Sequence, residues 1–205
     1  MPIEKKWKEA DFWNWFIKNQ EPLYALTPDS ENLEELLTSL DDALAKFNPE
    51  LEFELNLEAD EKGLKTFYIS GAGVMAAFPQ VESLAALAPE SDQWKFVKYK
   101  QRKEEIGEIQ VGEGMTFSLD SIFYSLEEDE PGKVGINLYF DNFRQNIEDL
   151  FGQVGFIYLD AILGEYDVAT KVGKIQFLSK PTGNSGGIKN ANNLRSDFDN
   201  HFKNT

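Results

Sequence analysis

The sequence predicts an α+β fold with a mainly antiparallel sheet, because helical and strand patterns occur in clusters and not in strict βαβ alternation. Apolar residues recur with a period near 3.6 in the N-terminal quarter of the chain and again over 144–163. Elsewhere they alternate with a period of 2. We therefore expect hairpins packed against a long central helix and N-terminal helices, in a single α+β domain over 1–205.

Two helices open the chain. The first runs from about Lys5 to Gln20. Its apolar face consists of Phe12, Trp13, Phe16 and Ile17. Trp15 lies outside that face, so it either widens the buried front or offers an aromatic ring to a partner. The second helix follows Pro28, carries a leucine stripe and ends at Asn48-Pro49.

Alternating residues predict strands at 51–57, 64–70, 94–103, 109–111 with 115–119, 122–126, 134–140 and 174–178. The first two strands form a hairpin whose solvated face bears Glu52 and Glu54. The strands at 122–126 and 134–140 form a second hairpin, closed by the turn residues Pro131-Gly132. The tip of that hairpin is acidic and consists of Glu127, Glu128, Asp129 and Glu130.

The long helix over 144–163 is apolar nearly all round, which is typical of a central helix. Gly152 and Gly155 each lower helix stability by about 1 kcal/mol relative to alanine, so we expect another group to pack closely against them. Gly164 is a natural terminator for this helix. Beyond the last strand we expect a flexible loop near 181–191 and a short C-terminal helix.

The composition limits the chemistry. The chain carries 36 Asp+Glu against 20 Lys+Arg, a formal net charge of −16, with no cysteine and one histidine. These counts exclude disulfides and thiol catalysis and give no ligand set for zinc, iron or copper, so we expect no cofactor and no metal. The start lacks a signal-peptide pattern, and no stretch approaches the roughly 20 apolar residues of a membrane helix. We therefore expect a cytoplasmic protein without a membrane partner.

The best formal motif is Gly71-Ala72-Gly73-Val74-Met75-Ala76, which fits G-x-G-x-x-A after a predicted strand. In dinucleotide-binding folds such glycines let a pyrophosphate approach a helix N-terminus. Three features weigh against that function: the hairpin pairing of the preceding strand, Phe78-Pro79 within the expected crossover helix, and no ribose-binding acid after the next strand. A plain strand–turn–helix connection is the simpler interpretation.

Basic residues concentrate in one segment, 95–103, where they alternate with aromatic residues. Such a strand could bind single-stranded nucleic acid through stacking and phosphate contacts. The alternative is an edge strand whose lysines prevent aggregation. Because a net charge of −16 repels a polyanion, we expect no nucleic-acid partner.

Three carboxylates, Asp160, Glu165 and Asp167, cluster where the long helix ends. If they converge in a cleft, they could act in general acid–base catalysis or hold a hard cation. Acids at a helix C-terminus oppose the macrodipole, and a plain solvated helix end is the alternative. The sole histidine, His201, is interpreted as a surface residue of the last helix.

Three local patterns occur together in the chain. They are the opening Trp7…Phe12-Trp13…Phe16, the segment Ala88-Pro89…Trp94, and the run Leu163-Gly164-Glu165-Tyr166-Asp167-Val168 that leads into Lys171-Val172-Gly173. Together they resemble a family of uncharacterised bacterial proteins and cover most of the chain. The resemblance implies a bacterial, cytoplasmic protein and carries over no activity, ligand or catalytic residue.

The sequence supports two classes of function. The first is an acidic, cofactor-free interaction protein of immunity or regulatory type that binds a basic protein. Its candidate partner-binding residues are Trp15, Glu52, Glu54, Glu127, Glu128, Asp129 and Glu130. The alternative is a carboxylate-dependent enzyme or small-ligand binder near the C-terminal end of the 144–163 helix. Its candidate residues are Asp160, Glu165 and Asp167.

Overall fold

The computed structural model describes residues 6–112, 114–182 and 186–203. The chain divides into two compact units, Met1–Lys100 and Gln101–Thr205. Both combine helices with small sheets, and four of the six strand pairs in the described residues are antiparallel, which confirms the predicted α+β class. The single domain over 1–205, which is expected from a length of 205 residues, stays a prediction. The N-terminal helices belong to the first unit and the long helix to the second.

The described part of the first unit, 6–100, contains three α-helices and a three-stranded sheet. In chain order its elements are α1 (Glu9–Tyr24), α2 (Leu33–Phe47), β1 (Glu52–Leu55), β2 (Lys65–Ser70), α3 (Phe78–Ala86) and β3 (Trp94–Lys98). The predicted hairpin of β1 and β2 is confirmed, while β3 runs parallel to β2. Pro79 lies in the first turn of α3, where proline is tolerated, so it begins the crossover helix and does not interrupt it.

Aromatic rings form the core of the first unit. Phe12 and Phe16 of α1 are fully buried and pack against Phe67 of β2. Trp13 is also buried, and its indole Nε1 donates to the carbonyl oxygen of Leu84 at 2.8 Å. Ile17, which the sequence places on the buried face, is 46% exposed. The buried face of α1 is therefore narrower than the apolar pattern of its sequence indicates.

The second unit contains the long helix and two sheets. In chain order its elements are β4 (Ile109–Val111), β5 (Met115–Phe117), β6 (Ile122–Glu128), β7 (Val134–Phe140), α4 (Glu148–Leu163), α5 (Glu165–Lys171), β8 (Val172–Ser179), β9 (Lys189–Asn190) and α6 (Leu194–Lys203). The larger sheet has the order β8-β7-β6-β9, in which only β7 and β8 are parallel. The strands β4 and β5 pair separately.

The helix α4 packs against β8 through its glycines. A Cβ built on Gly155 would lie 2.2 Å from Cε1 of Phe177, so the expected close contact is confirmed. Phe156 and Ile157 are 46% and 53% exposed, which shows that α4 has a solvent-facing side. The apolar pattern of this helix therefore extends beyond its buried face, because some of its exposed residues are themselves apolar.

The C-terminal part differs from the prediction in two places. Gly164, at φ +83°, ends α4 as predicted, but the short helix α5 begins immediately after it. Within the predicted loop near 181–191, Lys189–Asn190 pairs with β6 as β9. Residues 183–185 of that loop lie outside the described part of the chain. The predicted C-terminal helix is α6.

Candidate functional site

The predicted carboxylate site at the end of α4 is an ion-pair network centred on Arg102. Nε of Arg102 donates to the carbonyl oxygen of Leu163 at 2.8 Å. Its two terminal nitrogens lie 2.8 Å from Asp167 and 2.9 Å from Asp199. The other carboxylate oxygen of Asp167 lies 2.8 Å from Nζ of Lys171. Because both oxygens of Asp167 face a cation, this carboxylate serves the fold and is not placed to act as a general base.

The other two predicted carboxylates lie on the two helices that meet at Gly164. Glu165 is 0% exposed and lies in the first turn of α5, and Asp160 is half-buried within α4. The prediction that these acids oppose a helix macrodipole does not apply to Glu165. This residue lies at the N-terminus of α5, where the macrodipole stabilises an acid. Among the residues that the structure describes, no group of three His, Cys, Asp or Glu side chains is arranged to hold a metal ion.

A second arginine holds the same end of α4. Nε of Arg195 donates to the carbonyl oxygen of Ile162 at 2.9 Å, and its Nη2 donates to the carbonyl oxygens of Lys103 and Ala161. Sequence reasoning missed both Arg102 and Arg195, since each lies more than thirty residues from the carbonyl groups it binds in α4. A cleft of about 320 Å³ lies beside this end of α4, and its lining includes Arg195 and Ile162.

The sole histidine lines a shallow concavity of about 550 Å³ together with Tyr124, Lys189 and Asp197. Asp197 accepts hydrogen bonds from Lys189 Nζ at 2.5 Å and from the Tyr124 hydroxyl at 2.6 Å. These two donors lower the pKa of Asp197, while burial and the nearby carboxylate raise the pKa of Tyr124. Tyr124 therefore stays protonated and Asp197 stays ionised near neutral pH, which is unsuited to proton exchange between them.

The G-x-G-x-x-A motif connects β2 to α3 at the carboxyl edge of the parallel pair β2 and β3. Ala72 and Gly73 adopt φ of +52° and +73°. The ring of Phe78 packs on Gly71, where a Cβ would lie 3.0 Å from Cδ1 of the ring. The strand–turn–helix connection is therefore part of a complete βαβ unit. Because Gly71 has no side chain, α3 can approach the sheet closely there.

Two lysines of the basic segment pair with acids of the first unit. Lys98 Nζ lies 2.6 Å from Glu82, and Lys100 Nζ lies 3.3 Å from Glu52. The strand β3 is an edge of its sheet, which is where lysines protect against aggregation. The expectation of no nucleic-acid partner stays a prediction.

The predicted partner-binding acids are mostly engaged within the protein. Glu52 pairs with Lys100, and Glu54 is half-buried on β1. In the hairpin tip, Glu127 accepts from Asn137 Nδ2 at 2.5 Å, and Glu130 lies 3.7 Å from Lys133 Nζ. Glu128 is exposed at the end of β6. These acids contribute to the electrostatic field, but few of them are free to meet a partner.

Asp129 of the hairpin tip is a structural residue. Its Oδ2 accepts from the backbone N–H of Lys174 at 2.6 Å, and its Oδ1 accepts from its neighbour Glu130 at 2.8 Å. These backbone donors hold the pKa of Asp129 below its ordinary value. The carboxylate fastens the β6–β7 tip to β8, where Gly173 leaves room for it.

An acidic surface without ion pairs to described residues lies on α2 and the turn before it. We call it the α2 acidic face, and it consists of Asp29, Glu31, Glu34, Glu35, Asp41 and Asp42. All six side chains are exposed, and none forms an ion pair with a residue that the structure describes. The sequence contains no lysine or arginine between Lys18 and Lys46. This absence of basic residues is the signal that could have identified the face from the sequence.

Trp15 borders a groove on α1 that we call the tryptophan groove. It has a volume of about 350 Å³ and is lined by Trp7, Asp11, Asn14, Trp15 and Lys18. Trp15 is half-buried, with its ring centroid 6.4 Å from that of Phe12. Lys46 Nζ lies 5.3 Å from the centroid of Trp7, so this indole already takes one ammonium group against its ring.

In the described ranges, no helix combines the length and apolar character that crossing a bilayer requires.

Comparison with known proteins assigns this chain to no family. No family model, curated protein or solved structure matches the chain. The resemblance to a family of uncharacterised bacterial proteins therefore stays a prediction, and function has to be inferred from the residues themselves.

Proposed function

We propose that this protein binds a basic protein partner through the α2 acidic face. The observation that carries the proposal is a run of exposed acids on one helix and the turn before it, none of which forms an ion pair with a described residue. Asp167, Asp197, Glu52 and Glu82 each pair with a lysine or arginine, whereas the α2 acidic face has no such pair among the described residues. A cationic partner would supply the missing counter-charges.

The unpaired carboxylates have a physical cost that a partner would relieve. Glu34 and Glu35 lie in the first turn of α2, where the macrodipole favours acids. Asp41 and Asp42 lie in the middle of the helix, where the macrodipole gives no such support and like charges repel. The same charges accelerate encounter with a basic surface, because an oriented field steers diffusion.

The tryptophan groove supplies the second part of the proposed interface. It lies near the C-terminal end of α2, because the backbone N–H of Trp7 donates to the carbonyl oxygen of Lys46 at 3.0 Å. Tryptophan is enriched among the residues that contribute most to binding energy. We propose that the α2 acidic face determines the association rate and that Trp15 anchors the bound partner.

The proposed setting is the bacterial cytoplasm, and the proposed role is immunity-type or regulatory inhibition of a basic protein. An inhibitor of this kind needs no cofactor and no catalytic residue. We do not propose the alternative of a carboxylate-dependent enzyme, because Asp167 is paired with two cations.

The experiment compares two variants with equal charge changes. The first neutralises the face with E34Q, E35Q, D41N and D42N, and the control neutralises four exposed acids elsewhere in the first unit with E58Q, E61Q, E90Q and D92N. Wild type and both variants serve as baits in cytosol of the native cells, and captured proteins are identified by mass spectrometry. Association rates of the purified partner are then measured from low to physiological ionic strength, where the Debye length falls to about 8 Å.

We expect a basic protein that wild type and the control retain and the α2 variant loses, with an association rate that decreases steeply as salt increases. A captured partner that binds both variants equally, or whose association rate does not depend on salt, would contradict the proposal. So would a captured partner that is itself acidic.

A further inference from the structure

We propose that the cleft beside the C-terminal end of α4 binds a small zwitterion with an aliphatic body, of the class of valine, leucine and isoleucine. This site lies in the second unit and is independent of the α2 acidic face. Its volume of about 320 Å³ is at the lower end of the range of small-molecule sites, roughly 300–1,000 Å³. A cleft of that size fits an amino acid and is too small for a dinucleotide.

One part of the cleft wall is preformed by hydrogen bonds to its backbone groups. The N–H of Lys103 donates to the carbonyl oxygen of Ala161 at 2.8 Å, and the carbonyl oxygen of Lys103 accepts from Arg195 at 2.5 Å. Four residues further on, the carbonyl oxygen of Gly107 accepts from the Tyr158 hydroxyl at 3.3 Å. The wall segment 103–107 is therefore fixed to α4 at both ends, and a ligand does not have to order it.

The cleft presents cationic groups that suit a carboxylate. Lys103 and Arg195 both contribute to its lining. Arg195 uses Nε and Nη2 on backbone carbonyl groups, while its Nη1 forms no hydrogen bond with any residue described. A guanidinium that is held in place by one edge and has donors left on the other is well suited to bind a carboxylate.

The same cleft presents carboxylates that suit an ammonium group. Glu104, Glu108 and Asp120 contribute to its lining. Asp120 is held in position because its Oδ1 accepts from Asn192 Nδ2 at 2.7 Å and its backbone carbonyl accepts from Asn190. An anion alone would face these three acids, and a cation alone would face Lys103 and Arg195. A ligand that carries both charges satisfies both sets.

Four of the lining residues that carry no charge are aliphatic, beside Gly107 and the polar Ser118 and Asn192. Ile106, Leu119, Ile162 and Ala191 contribute to the lining, and the last two are buried in the core of the second unit. These side chains offer no further polar group and match a branched aliphatic body. The described residues that line the cleft form no metal-binding group, so a cation bridging the acids is not the proposed ligand.

The first test uses defined probes with the full-length protein and isothermal titration calorimetry. L-Valine, L-leucine and L-isoleucine are compared with 4-methylpentanoate, which lacks the ammonium group, and with 3-methylbutylamine, which lacks the carboxylate. We expect at least one amino acid to bind and both single-charge analogues to bind at least about tenfold more weakly. Absence of binding by all three amino acids up to about 10 mM, or equal binding of an analogue, would overturn the proposal.

The second test locates the binding. Gly107 lines the cleft, and a Cβ there would meet no atom within 4 Å, so Gly107→Trp places an indole beside the cleft without a clash at Cβ. Gly186 also has open space around its Cβ position and does not line the cleft, so Gly186→Trp is the control. We expect Gly107→Trp to weaken amino-acid binding about tenfold or more while Gly186→Trp leaves it unchanged. Unchanged binding in Gly107→Trp would place the ligand elsewhere.

Discussion

Arg102 and Arg195 hold adjacent carbonyl groups at one helix end: Arg102 binds Leu163 and Arg195 binds Ile162. The last carbonyls of a helix have no intrahelical partner, and cations are favoured there by the macrodipole. The two arginines come from opposite ends of the second unit, one before β4 and one in α6. They connect α4 to the first and last segments of that unit.

The first prediction concerns Arg102. Arg102→Gln removes the ion pairs to Asp167 and Asp199 and leaves acids near the carbonyl group of Leu163, so we expect a loss of about 1–2 kcal/mol in the free energy of unfolding after allowing for partial exposure. Arg144 is exposed, and Arg144→Gln should change stability by less than about 0.5 kcal/mol. Urea unfolding of both variants measures the difference. Equal stabilities would mean that the Arg102 network contributes nothing.

The second prediction is an opposite effect of alanine at two glycines of α4. Gly155→Ala forces Phe177 to move, because the new Cβ would lie 2.2 Å from its ring, and we expect a destabilisation of about 1–3 kcal/mol. At Gly152 the nearest atom of Phe177 is 3.6 Å away, an ordinary contact, so Gly152→Ala should stabilise by up to about 1 kcal/mol through helix propensity. Thermal unfolding of the two variants distinguishes them. A gain in stability from both would show that Phe177 relaxes freely.

The third prediction concerns pH. The pKa of Asp129 is lowered in the folded protein, so its contribution to stability is present above the ordinary aspartate pKa of 3.8. That contribution is lost as pH falls from 3.8 through the lower folded pKa, since the unfolded chain then binds the proton more tightly. We expect Asp129→Asn to show a shallower loss of stability with acid than wild type. Chemical unfolding at a series of pH values below 5 measures the two slopes, and Glu128→Gln, which neutralises an exposed neighbour, is the control.

The fourth prediction separates anchoring from steering in the proposed interface. Trp15→Ala should weaken binding of the partner by about 2 kcal/mol, mainly through faster dissociation, because aromatic anchors act in the bound complex. Ile17→Ala, an exposed apolar residue on the same helix, should leave both rates nearly unchanged. Surface plasmon resonance gives the two rates. A Trp15→Ala variant with wild-type dissociation would remove the tryptophan groove from the interface.

The sequence predicts well those features that depend on neighbours in the chain. The α1 and α2 helices, both hairpins and the close packing on Gly155 follow from local periodicity and helix propensity. The parallel pairing of β2 with β3 was missed because the hairpin with β1 already gives β2 a neighbour, and no local pattern marks its second neighbour. The arginines at the end of α4 were missed because their partners are set by tertiary contacts, for which no local pattern exists.

The candidate functional residues show the same difference between features set by chain neighbours and features set by tertiary contacts. The net charge indicates a basic partner from composition alone, but which acids are free depends on where each lysine and arginine folds. Asp129 and Asp167 are conspicuous in the sequence and are occupied by donors of the protein itself. The α2 acidic face is less conspicuous, because its residues read as the solvated side of an amphipathic helix.

The short length of β9 gives the acidic hairpin tip a different role. In the described part of the chain, β9 pairs with β6 only at Phe123 and Tyr124, so the stretch of β6 from Ser125 onward is a sheet edge. An uncovered edge is a template on which another copy of the chain can add a strand. Glu127 and Glu128 place charge along it, which opposes fibril growth. These two acids therefore favour solubility at high protein concentration, independently of any partner.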